Sequence, residues 1–473
     1  MKLKTLLSIG LASALTTSVA MANTIEDRVD ELEIHNALNY FTFGGDLTYM
    51  YDQVDTDDPG STKTTYNYNR LKFGLNVNAK PYNDVHFFSR LGMTKYTNTI
   101  NDDYEDEKDF GRSRTYNGSD VFVEKAYFDF RILDQLVLSA GRLPTIEGNP
   151  YNYAWGKAKM GTYPKLAYSA ILDGLALTYK IGDHFLNQGS FDARLVYTPF
   201  SHISHQTGSE GLQKYGTLSG GQNKGNIVTP NADMTAFMLD YQSDDLGWIG
   251  NIGGILQWIK SSYLAFNGFD TGFSPSTFSN ISTASGVYFG NERVILPADF
   301  QFSLDVLTAH VDFENIGHIG LNVGVTHYTN KISEKGGIIY TPGLSAGFFT
   351  NSTYGSTTAT EAKGAATLIA VSYNSPISVL NNPTFGAEYL TSDKGFSYFD
   401  FVADNLSDFY TNNGTGMHLY AIFPLKPQLR WRIGYRDQEA KYTPSKTSTL
   451  GARTEDTTPT KTKTIYTYLR LDF

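Results

Sequence analysis

The sequence predicts an all-β protein, a closed antiparallel transmembrane β-barrel of 16 strands, with 18 strands as the alternative. Three observations predict this fold. Apolar and polar residues alternate along many segments, as successive side chains of a strand alternate between faces. The connections between these segments alternate between long and short, which is typical of outer-membrane barrels. After the N-terminal region, no stretch approaches the roughly 18 consecutive apolar residues of a membrane-spanning helix.

The composition narrows the function classes. The 473 residues include 44 glycines, 32 tyrosines, 30 phenylalanines and no cysteine, and only 18% of them are charged. Mean hydropathy is −0.30. Together these values exclude a helical membrane bundle, a disulfide-rich scaffold and a disordered tail protein. The excess of 48 acidic over 38 basic residues argues against a nucleic-acid-binding protein.

Residues 1–22 resemble a secretory signal peptide. Lys2 and Lys4 precede an apolar run over Leu6–Leu15, and residues 20–22 offer a small-x-small cleavage site. The run is too short to cross about 30 Å of hydrocarbon. Cleavage removes two lysines and no acid, so the net charge falls from −10 to −12. The sequence therefore predicts export through a cleaved signal peptide, with the outer membrane of a Gram-negative cell as the destination of a barrel.

Residues 23–38 form a separate short segment before the barrel, which is predicted over residues 39–473. Ile25, Val29 and Leu32 follow 4-3 spacing with charged residues between them. Two heptads fall short of the three or four that indicate a coiled coil. Three interpretations stay open: a short periplasmic helix or frayed tail, a coiled-coil stub that nucleates a trimer, and a contact with the cell wall.

The C-terminal segment shows the strand alternation most clearly. In 465–473 the odd-numbered residues are apolar or threonine and end at Phe473, whereas the even-numbered residues from Tyr466 to Asp472 are polar or aromatic. The same pattern recurs in 69–79, 319–328 and 429–435. The predicted strands cover 39–53, 66–80, 85–96, 120–131, 136–143, 172–181, 189–199, 232–241, 250–262, 300–313, 318–330, 364–373, 384–391, 415–424, 429–437 and 462–473.

The connections support closure of these strands into a ring. Short connections such as 81–84, 132–135, 314–317 and 425–428 alternate with long ones such as 97–119, 144–171, 200–231, 263–299, 331–363 and 438–461. A ring leaves no strand edge in lipid, where each unpaired backbone group costs several kcal/mol. Sixteen strands enclose an aqueous channel. The many tyrosines and phenylalanines fit aromatic girdles at the two membrane interfaces.

Two strands are irregular. The apolar phase of 300–313 changes near Val306 and Leu307, which predicts a β-bulge there. Strand 136–143 is ambiguous, because Arg142 falls in phase with Leu136 and Leu138.

The chain resembles a bacterial outer-membrane general porin. It is most similar to an uncharacterised porin-like family of Gram-negative bacteria that carries a short N-terminal coiled-coil stub. The residues that carry this likeness are Glu26–Leu38, Ala140–Pro144, Gly161–Pro164, Asp173–Tyr179 and the terminal Tyr466–Phe473. The resemblance implies a homotrimer in contact with outer-membrane lipid and lipopolysaccharide. The terminal strip resembles the signal read by the outer-membrane barrel assembly machinery.

If the polar faces line a lumen, their charges set ion selectivity. Seven basic residues of the first three and last two strands would share one wall, because those strands are contiguous in a closed ring. We predict that this strip interacts with passing anions. The alternative is that nearby carboxylates neutralise it locally. The seven predicted pore-lining residues are Arg70, Lys72, Arg90, Arg430, Arg432, Arg436 and Arg470.

Segment 144–171 follows the fifth strand, where general porins fold a constriction loop into the pore. Its charged residues are Glu147, Lys157, Lys159 and Lys165. Such loops in that family are acidic, whereas this one is net positive. Inward placement would therefore predict a narrow zone that favours anions.

The sequence predicts no enzyme, no metal site and no cofactor. The nine histidines are scattered, and no G-x-S-x-G, H-E-x-x-H or P-loop pattern is present. The predicted function is an outer-membrane channel for passive diffusion of small hydrophilic solutes. The alternative is a non-conducting surface barrel that acts as an adhesin, a receptor or a structural protein.

Overall fold

A computed structural model describes most of the predicted barrel. The described residues are 40–60, 62–96, 121–145, 147–157, 161, 163–168, 172–182, 189–199, 233–265, 301–334, 361–396, 409–444 and 453–473. The predicted signal peptide and the predicted periplasmic helix or stub lie outside them. Within this part of the chain, no helix is both long and apolar enough to cross a membrane.

The described strands form one closed antiparallel barrel of 16 strands, which confirms the predicted fold. Each strand pairs with its neighbours in the chain, and the last strand pairs with the first. No further hairpin of the 18-strand alternative occurs among the described residues. The strands are β1 Phe41–Asp57, β2 Thr64–Tyr82, β3 Val85–Tyr96, β4 Phe122–Leu133, β5 Leu136–Leu143, β6 Leu172–Lys180, β7 Ser190–Pro199, β8 Asp233–Gln242, β9 Asn251–Ala265, β10 Gln301–Ile316, β11 Leu321–Glu334, β12 Glu361–Asn374, β13 Thr384–Ser392, β14 Gly414–Lys426, β15 Leu429–Pro444 and β16 Arg453–Asp472.

The period-two alternation separates an outer apolar face from an inner face. In β16, Ile465 and Leu469 are 57% and 42% exposed on the outside, whereas Tyr466 and Tyr468 are buried inside. The same outward exposure recurs at Leu419 of β14 and at other apolar positions around the ring. The outer face therefore carries an apolar belt around the ring, as the alternation predicts.

The predicted bulge at Val306 and Leu307 is wrong. The register of β10 is continuous there, with Val306 opposite Ile259 and Leu307 opposite Trp258. Leu304 and Val306 point inward and are buried in an apolar cluster inside the barrel. The apolar phase changes because part of the inner face packs against protein. No bulge at Val306 is needed to explain the change.

Arg142 lies on the outer face of β5, in phase with Leu136 and Leu138. Its guanidinium makes two hydrogen bonds with the Asp173 carboxylate of β6, at 2.8 and 3.0 Å. A third bond runs from Nη1 to the carbonyl of Val123, at 2.9 Å. An ion pair between the neighbouring strands β5 and β6 thus interrupts the apolar belt.

The C-terminal residue closes the ring. The amide of Phe473 donates to the carbonyl of Gly45 at 2.9 Å, and the amide of Gly45 donates to the carbonyl of Phe473 at 2.8 Å. A Cβ atom at Gly45 would lie 2.7 Å from the Phe473 ring and even closer to the carbonyl of Gly74. The absence of a side chain at Gly45 is therefore needed for β1 and the terminus to approach.

Replacing Gly45 by alanine is expected to reduce the fraction of barrel that closes. The added methyl group meets backbone that belongs to the strand ladder, so the terminus must shift. We expect a smaller fraction of compact, heat-modifiable protein on electrophoresis after refolding into detergent. Gly254→Ala is the matched control, because its nearest described atom would be 3.9 Å from the new Cβ. Equal compact fractions for the two variants would contradict this role of Gly45.

Candidate functional site

The connection between β5 and β6 folds into the barrel. We call its residues 147–157 and 163–168 the inward segment. Tight turns bend its backbone: the amide of Tyr151 donates to the carbonyl of Gly148, and the amide of Tyr153 donates to the carbonyl of Pro150. A 3₁₀ turn over Tyr153–Trp155 ends at Gly156, where φ is 57°. These turns let a short stretch of chain present several buried side chains inside the ring.

Polar contacts tie the inward segment to the opposite wall. The Lys157 ammonium lies 3.0 Å from the Asp472 carboxylate of β16. The Arg430 guanidinium of β15 donates to the carbonyls of Trp155 at 3.3 Å and Gly156 at 3.2 Å. Burial, and next the nearby Arg470 cation, lower the pKa of the Lys157 ammonium. The segment therefore crosses the lumen from β5–β6 to β15–β16.

Trp155 is the main aromatic anchor of this crossing. Its ring stacks on Tyr468 with centroids 6.1 Å apart. The guanidinium carbons of Arg432 and Arg470 lie 4.8 and 5.2 Å from its centroid. A cation over an indole face is the strongest of the cation–π pairs, and desolvation strengthens it. Trp155 is thus fixed by contacts on the wall that the sequence assigns to the basic strip.

The acidic residue of the inward segment faces the same basic wall from another side. Glu147 lies 3.6 Å from the Lys72 ammonium of β2. Lys165, by contrast, is buried, with its ammonium 5.4 Å from the ring centroids of Tyr151 and Tyr410. The one acid of the segment therefore opposes a wall base, while a lysine packs against aromatic rings.

The second half of the inward segment packs on the far side of the barrel. Tyr163 and Tyr168 stack with centroids 5.0 Å apart, and Leu166 is fully buried. They belong to an apolar cluster with inward side chains of β5 to β13 and three residues of the β13–β14 connection. Its further members are Leu143, Ala167, Leu172, Ala176, Val196, Met234, Ala236, Met238, Ile255, Ile259, Leu304, Val306, Tyr328, Ala366, Leu368, Leu390, Phe396, Phe409 and Tyr410.

Arg90 is at the centre of a buried ionic network. Its guanidinium bonds to the carboxylates of Asp46 and Glu124, each at 2.7 Å, and to the amide oxygen of Asn76 at 3.2 Å. Gly74 leaves the room for this arrangement, because a Cβ there would overlap the Arg90 guanidinium. Glu124 turns inward at a register shift between β3 and β4. The inner-face glycine thus accommodates a long side chain lying flat on the wall.

Other residues of the basic wall have close partners as well. Arg70 pairs with Asp52 at 2.8 Å, and both side chains are fully buried. The Tyr468 hydroxyl donates to the other oxygen of Asp52 at 2.6 Å. Arg470 pairs with Asp46 at 3.2 Å and with Asp472 at 2.9 Å. The wall is therefore a network of bases and acids rather than a row of bases.

Arg432 and Arg436 pack against tyrosine rings. Their guanidinium carbons lie 4.9 and 4.5 Å from the ring centroid of Tyr466. His418 links this group to β13, because its two ring nitrogens lie 2.7 Å from the Tyr466 hydroxyl and 2.7 Å from the Glu388 carboxylate. The chain of contacts is buried throughout and gives the β13–β16 wall a fixed inner surface.

Ten of the eleven residues singled out from the sequence can be located. All seven of the predicted pore-lining side chains lie on the inner face, and all seven come from the five contiguous strands β15, β16, β1, β2 and β3, which also supply Asp46, Asp52 and Asp472. Glu147, Lys157 and Lys165 lie on the inward segment, whereas Lys159 lies outside the described residues. The structure thus brings the two groups together across the lumen.

Three carboxylates, at Asp52, Glu124 and Glu388, escaped the sequence analysis of this wall. The alternation of β1 places Asp52 in phase with Asp46 and could have identified it. Glu124 could not be assigned this way, because the register shift reverses its face. No group of three or more potential metal ligands occurs among the described residues.

Comparisons with known proteins give a partial family match and structural likeness. A family model described as "Protein of unknown function (DUF3373)" matches residues 62–198. No curated protein matches the sequence. The trimer form of OmpT, an outer membrane protein of Vibrio cholerae, is 11% identical with a TM-score of 0.45, over 92% of this chain and 99% of that one.

Two porins show a similar degree of likeness. The anion-selective porin from Comamonas acidovorans is 9% identical with a TM-score of 0.46, over 92% of this chain and 99% of that one. Salmonella typhi OmpF in complex with daunomycin is 10% identical with a TM-score of 0.44, over 92% and 97%. At these identities and TM-scores the likeness does not extend to function.

Proposed function

We propose that this protein is an outer-membrane channel for passive diffusion of small hydrophilic solutes, narrowed by the inward segment. One observation carries the proposal: a closed ring with an apolar outer belt holds a segment that is tied across its interior to a charged wall. An apolar outer belt is compatible with lipid, and closure of the ring pairs the backbone groups that an open sheet edge would leave unpaired there. A channel of this width selects solutes by its narrowest zone and by the charges there.

The distribution of charge supports a mild preference for anions. The bases of the wall outnumber the acids that pair with them. These bases are Arg70, Lys72, Arg90, Arg430, Arg432, Arg436 and Arg470. Lys157 adds a further positive charge beside Asp472. Because the acids compensate much of this strip, we expect a modest preference rather than exclusion of cations.

Planar bilayer recording tests the proposal directly. The purified mature protein is expected to produce stepwise conductance increases in potassium chloride, and a salt gradient should give a reversal potential of the anion-preferring sign. Absence of steps at verified insertion would contradict the channel. A cation-preferring reversal potential would contradict the anion preference and leave the channel intact.

Glu147→Gln is expected to increase the anion preference. The substitution removes the one acid of the inward segment that opposes Lys72, at 3.6 Å, and leaves that base uncompensated from this side. We expect the anion-to-cation permeability ratio from reversal potentials to rise by about twofold. Asp245→Asn, an exposed acid on the β8–β9 turn, is the matched control. An unchanged ratio in both variants would remove Glu147 from the filter.

A non-conducting surface barrel is the second candidate, and one observation favours it. The apolar cluster around Leu166 and Tyr168 fills part of the interior with protein, as a structural core does. A surface adhesin, receptor or structural barrel predicts no conductance steps, whereas the channel predicts steps. The bilayer experiment therefore separates the two functions.

We also propose that the barrel assembles as a homotrimer. Strand rise of about 3.3 Å per residue and a tilt of about 40° put Arg142 roughly 15 Å above the first residue of β5, within the height of the apolar belt. A charged pair facing lipid at that depth is costly, whereas a subunit contact would cover Arg142 and Asp173. The same proposal includes export through a cleaved signal peptide, insertion by the barrel assembly machinery and contact with lipopolysaccharide.

A further inference from the structure

A cavity lies below the inward segment, against the inner wall of β3 to β8. Its volume is about 360 Å³. The roof is formed by Thr145, Tyr163 and Tyr168, and the lower end reaches the short β2–β3 turn at Asn83 and Asp84. None of the seven predicted pore-lining basic residues is among the residues that line this cavity.

Arg194 of β7 projects into this cavity. Its Nε donates to the Thr178 hydroxyl at 3.0 Å. Its Nη1 is buried and has no hydrogen-bond partner among the described residues. No ion pair of Arg194 occurs in that part of the chain either. Nη1 has almost no accessible surface, so the guanidinium meets the cavity through Nη2, which has no hydrogen bond among the described residues. An anionic oxygen in the cavity could accept from Nη2.

The lining of the cavity combines an apolar side with charged side chains, which are the carboxylates of Asp84, Asp129 and Asp192 and the cations of Arg131, Lys180 and Arg194. The stacked rings of Tyr163 and Tyr168, with Met238, form an apolar side of the cavity. At the lower end, Asp129 accepts a hydrogen bond from Ser139 at 2.5 Å. A mostly apolar cavity with a few convergent polar groups is the usual form of a small-molecule site.

We propose that this cavity binds small organic carboxylates that have an apolar or aromatic body. The carboxylate accepts hydrogen bonds from the Arg194 guanidinium, which matches a planar anion in shape and charge. The body of the ligand packs against the Tyr163–Tyr168 stack. The site rests on the proposed channel function only in that a solute must reach it through the barrel interior.

Benzoate binding to the purified full-length mature protein in detergent tests the site. Isothermal titration is expected to show saturable binding of benzoate and binding of neutral benzyl alcohol weaker by about tenfold or more, since only benzoate satisfies the cation. Benzylamine, which carries the opposite charge, should not compete. Equal binding of benzoate and benzyl alcohol by the wild-type protein would overturn the proposal without any variant.

Two variants of Arg194 locate the interaction. Arg194→Met should raise the benzoate dissociation constant by about tenfold or more and leave benzyl alcohol binding unchanged. Arg194→Lys should restore part of the affinity. Lys80→Met, an exposed cation outside the cavity, is the control. Benzoate binding of Arg194→Met equal to that of the wild type would overturn the assignment.

Bilayer recording on the same preparations separates this inference from the proposed function. Saturable benzoate binding without conductance would reject the channel and keep the carboxylate site. Conductance without saturable benzoate binding would keep the channel and reject the site.

Discussion

Replacing Arg90 by methionine is expected to lower the free energy of unfolding by about 3–5 kcal/mol, because the change removes the cation that two buried carboxylates share and leaves Asp46 only the longer contact with Arg470, at 3.2 Å. Asp46 and Glu124 each lie 2.7 Å from the guanidinium. Their mutual repulsion in a dry environment would push β1 and β4 apart on the inner face. The measurement is the denaturant midpoint in detergent or lipid, followed by tryptophan fluorescence and by heat-modifiable mobility.

A rescue variant makes this prediction specific. Arg90→Met combined with Asp46→Asn and Glu124→Gln removes the uncompensated charges and should recover a substantial part of the lost stability. Arg131→Met, on the exposed end of β4, is the control and should change stability by no more than about 0.5 kcal/mol. A loss for Arg90→Met no larger than the control would show that the network contributes little.

Replacing Trp155 by alanine is expected to release the inward segment from the β15–β16 wall and to widen the channel. The change removes the stack on Tyr468 and the contacts with Arg432 and Arg470. Truncating a buried aromatic side chain to alanine costs about 3–5 kcal/mol of local packing. We expect single-channel conductance to rise by about twofold or more, with larger current noise as the segment moves.

Two controls address the alternatives for Trp155. Trp155→Phe keeps a ring for the Tyr468 stack and should give conductance close to that of the wild type. Trp248→Ala removes an exposed tryptophan on the short β8–β9 connection and should leave conductance unchanged. Wild-type conductance in Trp155→Ala, with the barrel compact on electrophoresis, would mean that the inward segment does not limit the current.

The outcome at Val306 shows where reasoning from alternation stops. The pattern in β10 changes phase because Leu304 and Val306 pack inward against the apolar cluster, whereas the register against β9 shifts earlier, between Phe302 and Leu304. Hydrophobic periodicity reports which side chains are shielded from water. The prediction from it assumes that only the outer face is shielded. That assumption fails wherever a folded-in segment covers the inner wall.

The charged wall shows a second limit. Alternation assigns Arg70, Arg90 and Arg432 to the interior, but it cannot assign their partners. Arg90 reaches Asp46 and Glu124 on other strands, and Glu124 faces inward only because of a register shift. Arg432 packs against Trp155 from a distant part of the chain. Which residues these bases contact depends on ring closure and on the position of the inward segment. A local sequence pattern contains neither.

The sequence by itself determined the closed antiparallel ring, the order of its strands and most of the side chains that face outward, because these follow from a period of two residues and from connection lengths along the chain. It left 16 and 18 strands as alternatives. Only the tertiary structure decided that the segment after β5 crosses the lumen, that wall carboxylates compensate the basic strip, and that Arg194 lies in a cavity. The physical reason is that these contacts join residues such as Trp155 and Arg430, which are brought together only when the ring closes.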